Sequence, residues 1–111
     1  MEQEEEELER RRYPDGTILW VLRGVLHNPN GPAIEKPSGE KRWFRFGKLH
    51  REDGPAIIRA DGSEEWFRDG MRHRDDGPAV EGADGSKKWF LNGQPHDGEA
   101  LHGAATSQAP G

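Results

Sequence analysis

Large apolar side chains are sparse in this chain, and they fall in a fixed pattern. Trp20, Trp43, Trp66 and Trp89 stand 23 residues apart, and so do Gly24, Gly47, Gly70 and Gly93. His27, His50, His73 and His96 keep the same step, as do Gly16, Gly39, Gly62 and Gly85. Gly-Pro-Ala recurs at 31–33, 54–56 and 77–79, whereas "DGEALHGAATSQAPG" after His96 holds no copy in register. A period of this size marks a repeat architecture, in which each unit covers the apolar face of its neighbour. The predicted array has three full units, a half unit before them from Asp15 to Leu26, and a decaying end.

Within a unit, two turn signals bracket a short run: "ADGS" and "RDG" surround Ser63 to Arg68. Asp-Gly favours a two-residue hairpin turn, because both central positions want positive φ. A turn at Asp61 and Gly62 pairs Ala60 with Ser63, Ile58 with Glu65, Ile57 with Trp66 and Ala56 with Phe67. Side chains alternate faces along a strand. One face then carries Ile34 with Trp43, Ile57 with Trp66, and Val80 with Trp89. The other carries Ala33 with Phe44, Ala56 with Phe67, and Ala79 with Phe90, beside the ion pairs Glu35–Arg42 and Glu81–Lys88. Ile58 opposite Glu65 is the one pair that this register does not explain.

The predicted fold class is therefore all-β: an elongated single-layer antiparallel sheet of tandem 23-residue β-hairpin repeats. The Trp face is the expected core, closed by curling of the sheet, with a bend or bulge at each Gly-Pro. "MEQEEEELERRRY" differs in kind. Its acids come first and its arginines last, which suits a helix macrodipole. Glu6 with Arg10 and Glu7 with Arg11 are spaced for i,i+4 ion pairs. The expected division is a charged N-terminal helix or arm over 1–13, the repeat domain over 14–97 and a flexible tail over 98–111.

The hairpin text "LHREDGPAII", "ADGSEEWF" and "DGMRHRDDGPAV" resembles MORN-type repeats, in the variant grouped with YwqK-like antitoxin repeats. The likeness covers residues 14–97 and lies in the glycine spacing and the paired X-Gly turns. It implies rows of hairpins in an elongated, trough-shaped sheet that binds proteins or, in some members, lipid headgroups. The antitoxin label implies neutralising a toxin by direct binding. Trp-Phe stands here where Tyr-containing motifs are usual. The "W-F-x-N-G" run from Trp89 to Gly93 is also similar to cell-wall-binding aromatic repeats.

Composition narrows the function. The chain is 33% charged and 31% hydrophobic, too polar for a thick core. Its net charge of −5 disfavours direct nucleic-acid binding and an anionic membrane surface. Absence of cysteine excludes disulfides and thiolate metal sites. No apolar run reaches ten residues, so neither a signal core nor a membrane span is expected, and the predicted location is cytoplasmic.

The histidine column invites a metal. Equivalent residues of adjacent units are separated by two strands, about 9–10 Å, whereas zinc ligands sit about 2 Å from the ion. Each histidine is therefore expected to pack at the bend and to bond a loop carbonyl or the carboxylate that follows. The Arg-Glu-Asp-Gly and Arg-Asp-Asp-Gly runs lack the spaced ligands of a calcium loop. No nucleophile constellation or phosphate loop is present, so neither an enzyme nor a cofactor is expected.

A single layer leaves one side uncovered. Phe44, Phe67 and Phe90, with Arg42, Glu65 and Lys88 beside them, are the candidate partner-binding residues. Edge strands at both ends make a homodimer the expected state. The expected function is a non-enzymatic protein-binding repeat module, an inhibitor or antitoxin-like neutraliser. The acidic run "EQEEEELE" offers an alternative, a nucleic-acid mimic that blocks a DNA- or RNA-binding protein. Glycan or cell-wall binding through aromatic hairpins is the other.

Overall fold

The computed structural model describes residues 8–97. Among them every element is a strand. The first is β1 (Leu8–Arg12), followed by β2 (Ile18–Leu22) and β3 (Val25–Leu26). Next come β4 (Ile34–Glu35), β5 (Lys41–Arg42), β6 (Phe44–Arg45) and β7 (Lys48–Leu49). The same foursome returns as β8 (Ile57–Ile58), β9 (Glu64–Glu65), β10 (Phe67–Arg68) and β11 (Met71–Arg72). The chain continues through β12 (Val80–Glu81), β13 (Lys87–Leu91) and β14 (Gln94–His96).

Hairpins β4–β5, β8–β9 and β12–β13 lie side by side in one antiparallel sheet of order β1-β2-β4-β5-β8-β9-β12-β13-β14, with β3 on β2. Two of the long runs leave that sheet at Trp43 and Trp66 and form second hairpins, β6–β7 and β10–β11, as separate two-stranded sheets, while β2–β3 and β13–β14 stay joined to the ribbon. The single continuous sheet expected from the sequence is thus split into a main ribbon and a row of satellite hairpins. The extents, 56 × 34 × 16 Å, are those of a thin slab.

The two turns of a unit differ, and the difference moves the register. At the second, Asp69 and Gly70 have φ of 50° and 85° between paired Arg68 and Met71, a two-residue turn with both positions left-handed. At the first, Gly62 alone is left-handed, at φ 91°. Its N–H donates to the Arg59 carbonyl at 2.9 Å, and Arg59 N–H donates to the Ser63 carbonyl at 2.9 Å, which makes a three-residue loop. The Asp61 carboxylate explains the choice: it accepts from Ser63 N–H at 2.9 Å and from the Ser63 hydroxyl at 2.7 Å.

The predicted register is therefore corrected by one residue. Ile57 faces Glu65, not Trp66, and Ile58 faces Glu64. Glu35 faces Lys41 and Glu81 faces Lys87, not Arg42 and Lys88. One slip exchanges the two faces. One row across the ribbon now reads Leu19–Ile34–Arg42–Ile57–Glu65–Val80–Lys88. Ala56 N–H also donates to the Glu65 carbonyl at 2.8 Å, so Ala56 and Ile57 together oppose one residue, a bulge.

The core is thin. Ala33, Ala56 and Ala79 are wholly covered, with Val21 and Ile57 nearly so, while the four tryptophans are only half-buried. The alanines are enclosed on every side. Their carbonyls accept from Trp20, Trp43 and Trp66 N–H at 2.8, 2.8 and 2.6 Å, and a larger side chain there would hold the ribbon open.

The N-terminal helix is a further correction. Leu8 to Arg12 pair along their whole length with Leu22 to Ile18. Ion pairs at i,i+4 contribute only about 0.2–0.5 kcal/mol each, and helices this short are marginal. Pairing instead satisfies the backbone of β2, which would otherwise be a bare edge, and leaves a charged strand outermost. Residues 1–7 and the expected tail over 98–111 lie outside the described residues. No helix among the described residues is long and apolar enough to cross a membrane.

Candidate functional site

Three buried histidines tie successive hairpins together, β2–β3 to β6–β7, β6–β7 to β10–β11, and β10–β11 to β13–β14. Phe46 N–H donates to His27 Nδ1 at 2.9 Å, Asp69 N–H to His50 Nδ1 at 2.9 Å, and Asn92 N–H to His73 Nδ1 at 2.8 Å. A backbone N–H can only donate, so each Nδ1 is a lone pair and the proton sits on Nε2. That Nε2–H donates to Glu52 at 2.9 Å from His50, and to Asp75 at 2.8 Å from His73. In the first copy Pro29 stands where these carboxylates would be. The bonds hold the Glu52 and Asp75 carboxyls below their usual ranges, with arginine charges adding to the effect. Burial, with the Arg45 charge adding, lowers His27 below the usual histidine value. His50 and His73 have both nitrogens engaged within the fold. Among the described residues no three metal-ligating side chains stand together.

The loops after these histidines are built around an arginine laid flat. Arg51 and Arg74 place their guanidiniums 3.9 and 4.0 Å from the ring centroids of Trp43 and Trp66. Each Nη1 donates to a proline carbonyl, Pro55 or Pro78, at 3.1 Å. The Gly of Gly-Pro-Ala makes room beneath: a Cβ on Gly54 or Gly77 would lie 2.8 Å from the guanidinium carbon. In the first unit Asn28 takes over, donating from Nδ2 to the Pro32 carbonyl at 3.0 Å.

Successive loops are the walls of two equivalent clefts. One, of about 460 Å³, lies between Asn28–Gly31 and Arg51–Asp53, over Trp43, Phe44 and Arg45. The other, of about 300 Å³, lies between Arg51–Asp53 and Arg74–Asp76, over Trp66, Phe67 and Arg68. Arginines of the loops and floors lie low and pair with carboxylates: Arg51 with Asp53 at 3.4 Å, Arg68 with Asp75 at 3.2 Å, and Arg74 with Asp76 at 3.3 Å. The carboxylates themselves stand out into solvent.

The six residues singled out in the sequence divide. Phe44 and Phe67 line the two clefts, and Phe90 holds the corresponding seat in β13. Arg72 lies between the last two rings, 5.7 Å from Phe67 and 5.5 Å from Phe90. Arg42, Glu65 and Lys88 lie instead in the main ribbon, in the row described above. Arg42 is bound to Glu40 at 2.6 Å. Glu65 is buried between Arg59, at 2.7 Å, and Arg72, at 2.9 Å. Burial raises its carboxyl, and the hydrogen bonds from Arg59 and Arg72 overrule that, leaving it below the usual glutamate range. Lys88 is exposed.

Sequence reasoning missed the loop arginines as ring covers and missed Phe46. The available signal for Phe46 was a phenylalanine at a position filled by Arg23, Asp69 and Asn92 in the other turns. Comparison of the chain with family models, curated proteins and solved structures finds no match.

Proposed function

We propose that this chain is a non-enzymatic protein-binding module, built as an array of 23-residue hairpin units, that neutralises its partner by occupying it. The observation that carries the reading is the pair of corresponding clefts, each floored by a Trp-Phe-Arg strand, with the Arg51–Asp53 loop as a shared wall. Aromatic floors with a polar rim are the make-up of protein interaction sites. Clefts one unit apart are separated by two strands, about 9–10 Å, the length of about three residues of extended chain. An extended segment crossing the strands therefore meets a cleft at every third residue. The likeness of the hairpin text to YwqK-like antitoxin repeats points to the same mode of action.

The test uses the exposed rims, where substitution leaves packing alone. Wild-type chain and the Asp53→Lys/Asp76→Lys variant are used as baits in the native host, with circular dichroism to check the fold. The expected result is a stoichiometric protein partner that the wild type retains and the rim variant loses. A partner held equally by both, or hydrolytic or transfer activity in the purified chain, would sink the reading.

A further inference from the structure

Phe46 is out of place in two respects. Its φ is 48°, a left-handed conformation that suits glycine and asparagine and strains a bulky side chain. It is also 65% exposed, more than any other large hydrophobic residue described. The fold asks for neither. The N–H that bonds His27 belongs to the backbone, and Asp69 and Asn92 make the same bond with polar side chains. The ring stacks on His27 with centroids 4.1 Å apart, which covers one face and leaves the rest in water. Val25, itself exposed, lies against the same turn: a Cβ on Gly47 would meet its Cγ1 at 3.0 Å. Arg45 and Lys48 flank this knob in sequence, and Arg23 occupies the corresponding place in the preceding turn. Basic side chains thus neighbour an apolar tip in a chain of net charge −5; Arg45 is already paired, with Glu52 at 3.8 Å and Asp69 at 3.9 Å, which leaves Arg23 and Lys48 for an outside acid.

The complementary shape is on the same molecule. Of the two clefts, only the one over Trp66 and Phe67 has acids on both walls, because Pro29 and Asn30 replace them on the outer wall of its neighbour. Glu52, Asp53, Asp75 and Asp76 are 66, 89, 66 and 84% exposed, against 27, 43 and 23% for Arg51, Arg68 and Arg74. An approaching group therefore meets carboxylates first and aromatic floor afterwards. The cleft's volume of about 300 Å³ exceeds the roughly 150 Å³ that takes benzene in a protein cavity.

We infer that Phe46 is the anchor of a self-association contact, inserting between the Arg51–Asp53 and Arg74–Asp76 loops of a second copy. Arg23 and Lys48 then meet the carboxylate rim. Phe46 does not line this cleft in its own chain, and a two-residue turn is too short to bend it there. The hole rests on the cleft reading above, whereas the knob does not. Self-association of this kind occupies the doubly acidic cleft until a partner displaces it.

Sedimentation equilibrium of the full chain tests this without any unknown ligand. The wild type is expected to form complexes of two or more copies that weaken as salt is raised. Phe46→Asn is expected to cut the association constant about tenfold or more, with an unchanged or higher unfolding midpoint because asparagine relieves the turn. Asp53→Lys/Asp76→Lys and Arg23→Glu/Lys48→Glu are each expected to be monomeric alone and to associate when mixed. A wild type that stays monomeric overturns the inference, as does association that survives Phe46→Asn. Loss in Phe46→Asn with no effect of the rim variant also overturns it. None of these outcomes touches foreign-partner capture, which reads the proposed function separately.

Discussion

Replacing His73 by alanine tests the seam between hairpins. The substitution removes an acceptor from Asn92 N–H at 2.8 Å and a donor to Asp75 at 2.8 Å, and it empties a buried ring site. An unpaired buried donor costs about 1–3 kcal/mol. Asn92 is exposed and its N–H only part-buried, so the lower half of that range applies. Asp75 is free to return to water and adds little. The lost ring burial adds about 1–2 kcal/mol. The expected destabilisation is about 2–4 kcal/mol, a large share of the total of about 5–15 kcal/mol that a small domain has. Urea unfolding followed by tryptophan fluorescence measures it, with an unchanged m-value showing that the unfolded state is not the cause. Hydrogen exchange at Asn92 locates it, since that amide should lose protection before the rest of the hairpin. Asp75→Asn, which keeps the Nδ1 bond, should cost less than half as much. A loss under about 0.5 kcal/mol, the size of an ordinary surface substitution, would refute the reasoning. So would unchanged protection of Asn92.

Three further outcomes are expected. Gly70→Ala should cost about 1–2 kcal/mol in thermal melts, because φ is 85°. The nearest heavy atoms to the new Cβ are 3.9 Å away on Lys48, so a steric clash is not the cause. Glu65→Ala should lose about 1–3 kcal/mol by removing both arginine bonds; Glu65→Gln, whose single amide oxygen keeps one of the two bonds, should lose less. His27 should make stability depend on pH. Its folded value lies below the ordinary 6.5, so its share is complete above that pH and is lost as pH falls through the folded value. Glu52 and Asp75, lowered in the same direction from 4.5 and 3.8, withdraw theirs at more acid pH. Removing the near-neutral slope with His27→Gln while keeping the acid one would verify the division.

The second turn was readable because Gly70 and its counterparts sit at φ of 82–85°, where a Cβ is strained. The register was not, because Asp-Gly serves two loop lengths, and the decision falls to a bond between Asp61 and Ser63 that propensity does not count. The same ambiguity misplaced Ile57 and misassigned the ion pairs of Glu35 and Glu81. Acid-before-arginine order suggested a helix over the first residues, yet the edge of β2 outcompeted a few exposed ion pairs. For the site, Phe44 and Phe67 could be chosen because a one-layer sheet has a bare side. Glu65 looked like its neighbours in the row, and only the convergence of Arg59 from one loop and Arg72 from another hairpin sets it apart.

The histidine bonds all span 19 residues and reach only the adjoining hairpin. Nothing in such a seam depends on how many others there are, which gives the chain a modular length. Excising 51–73 would join His50 directly to Arg74, and the imidazole would then meet Asn92 in place of Asp69. Duplicating the same stretch would lengthen the ribbon by two strands. The length of the ribbon can thus be reset in whole-unit increments, without redesigning a single joint.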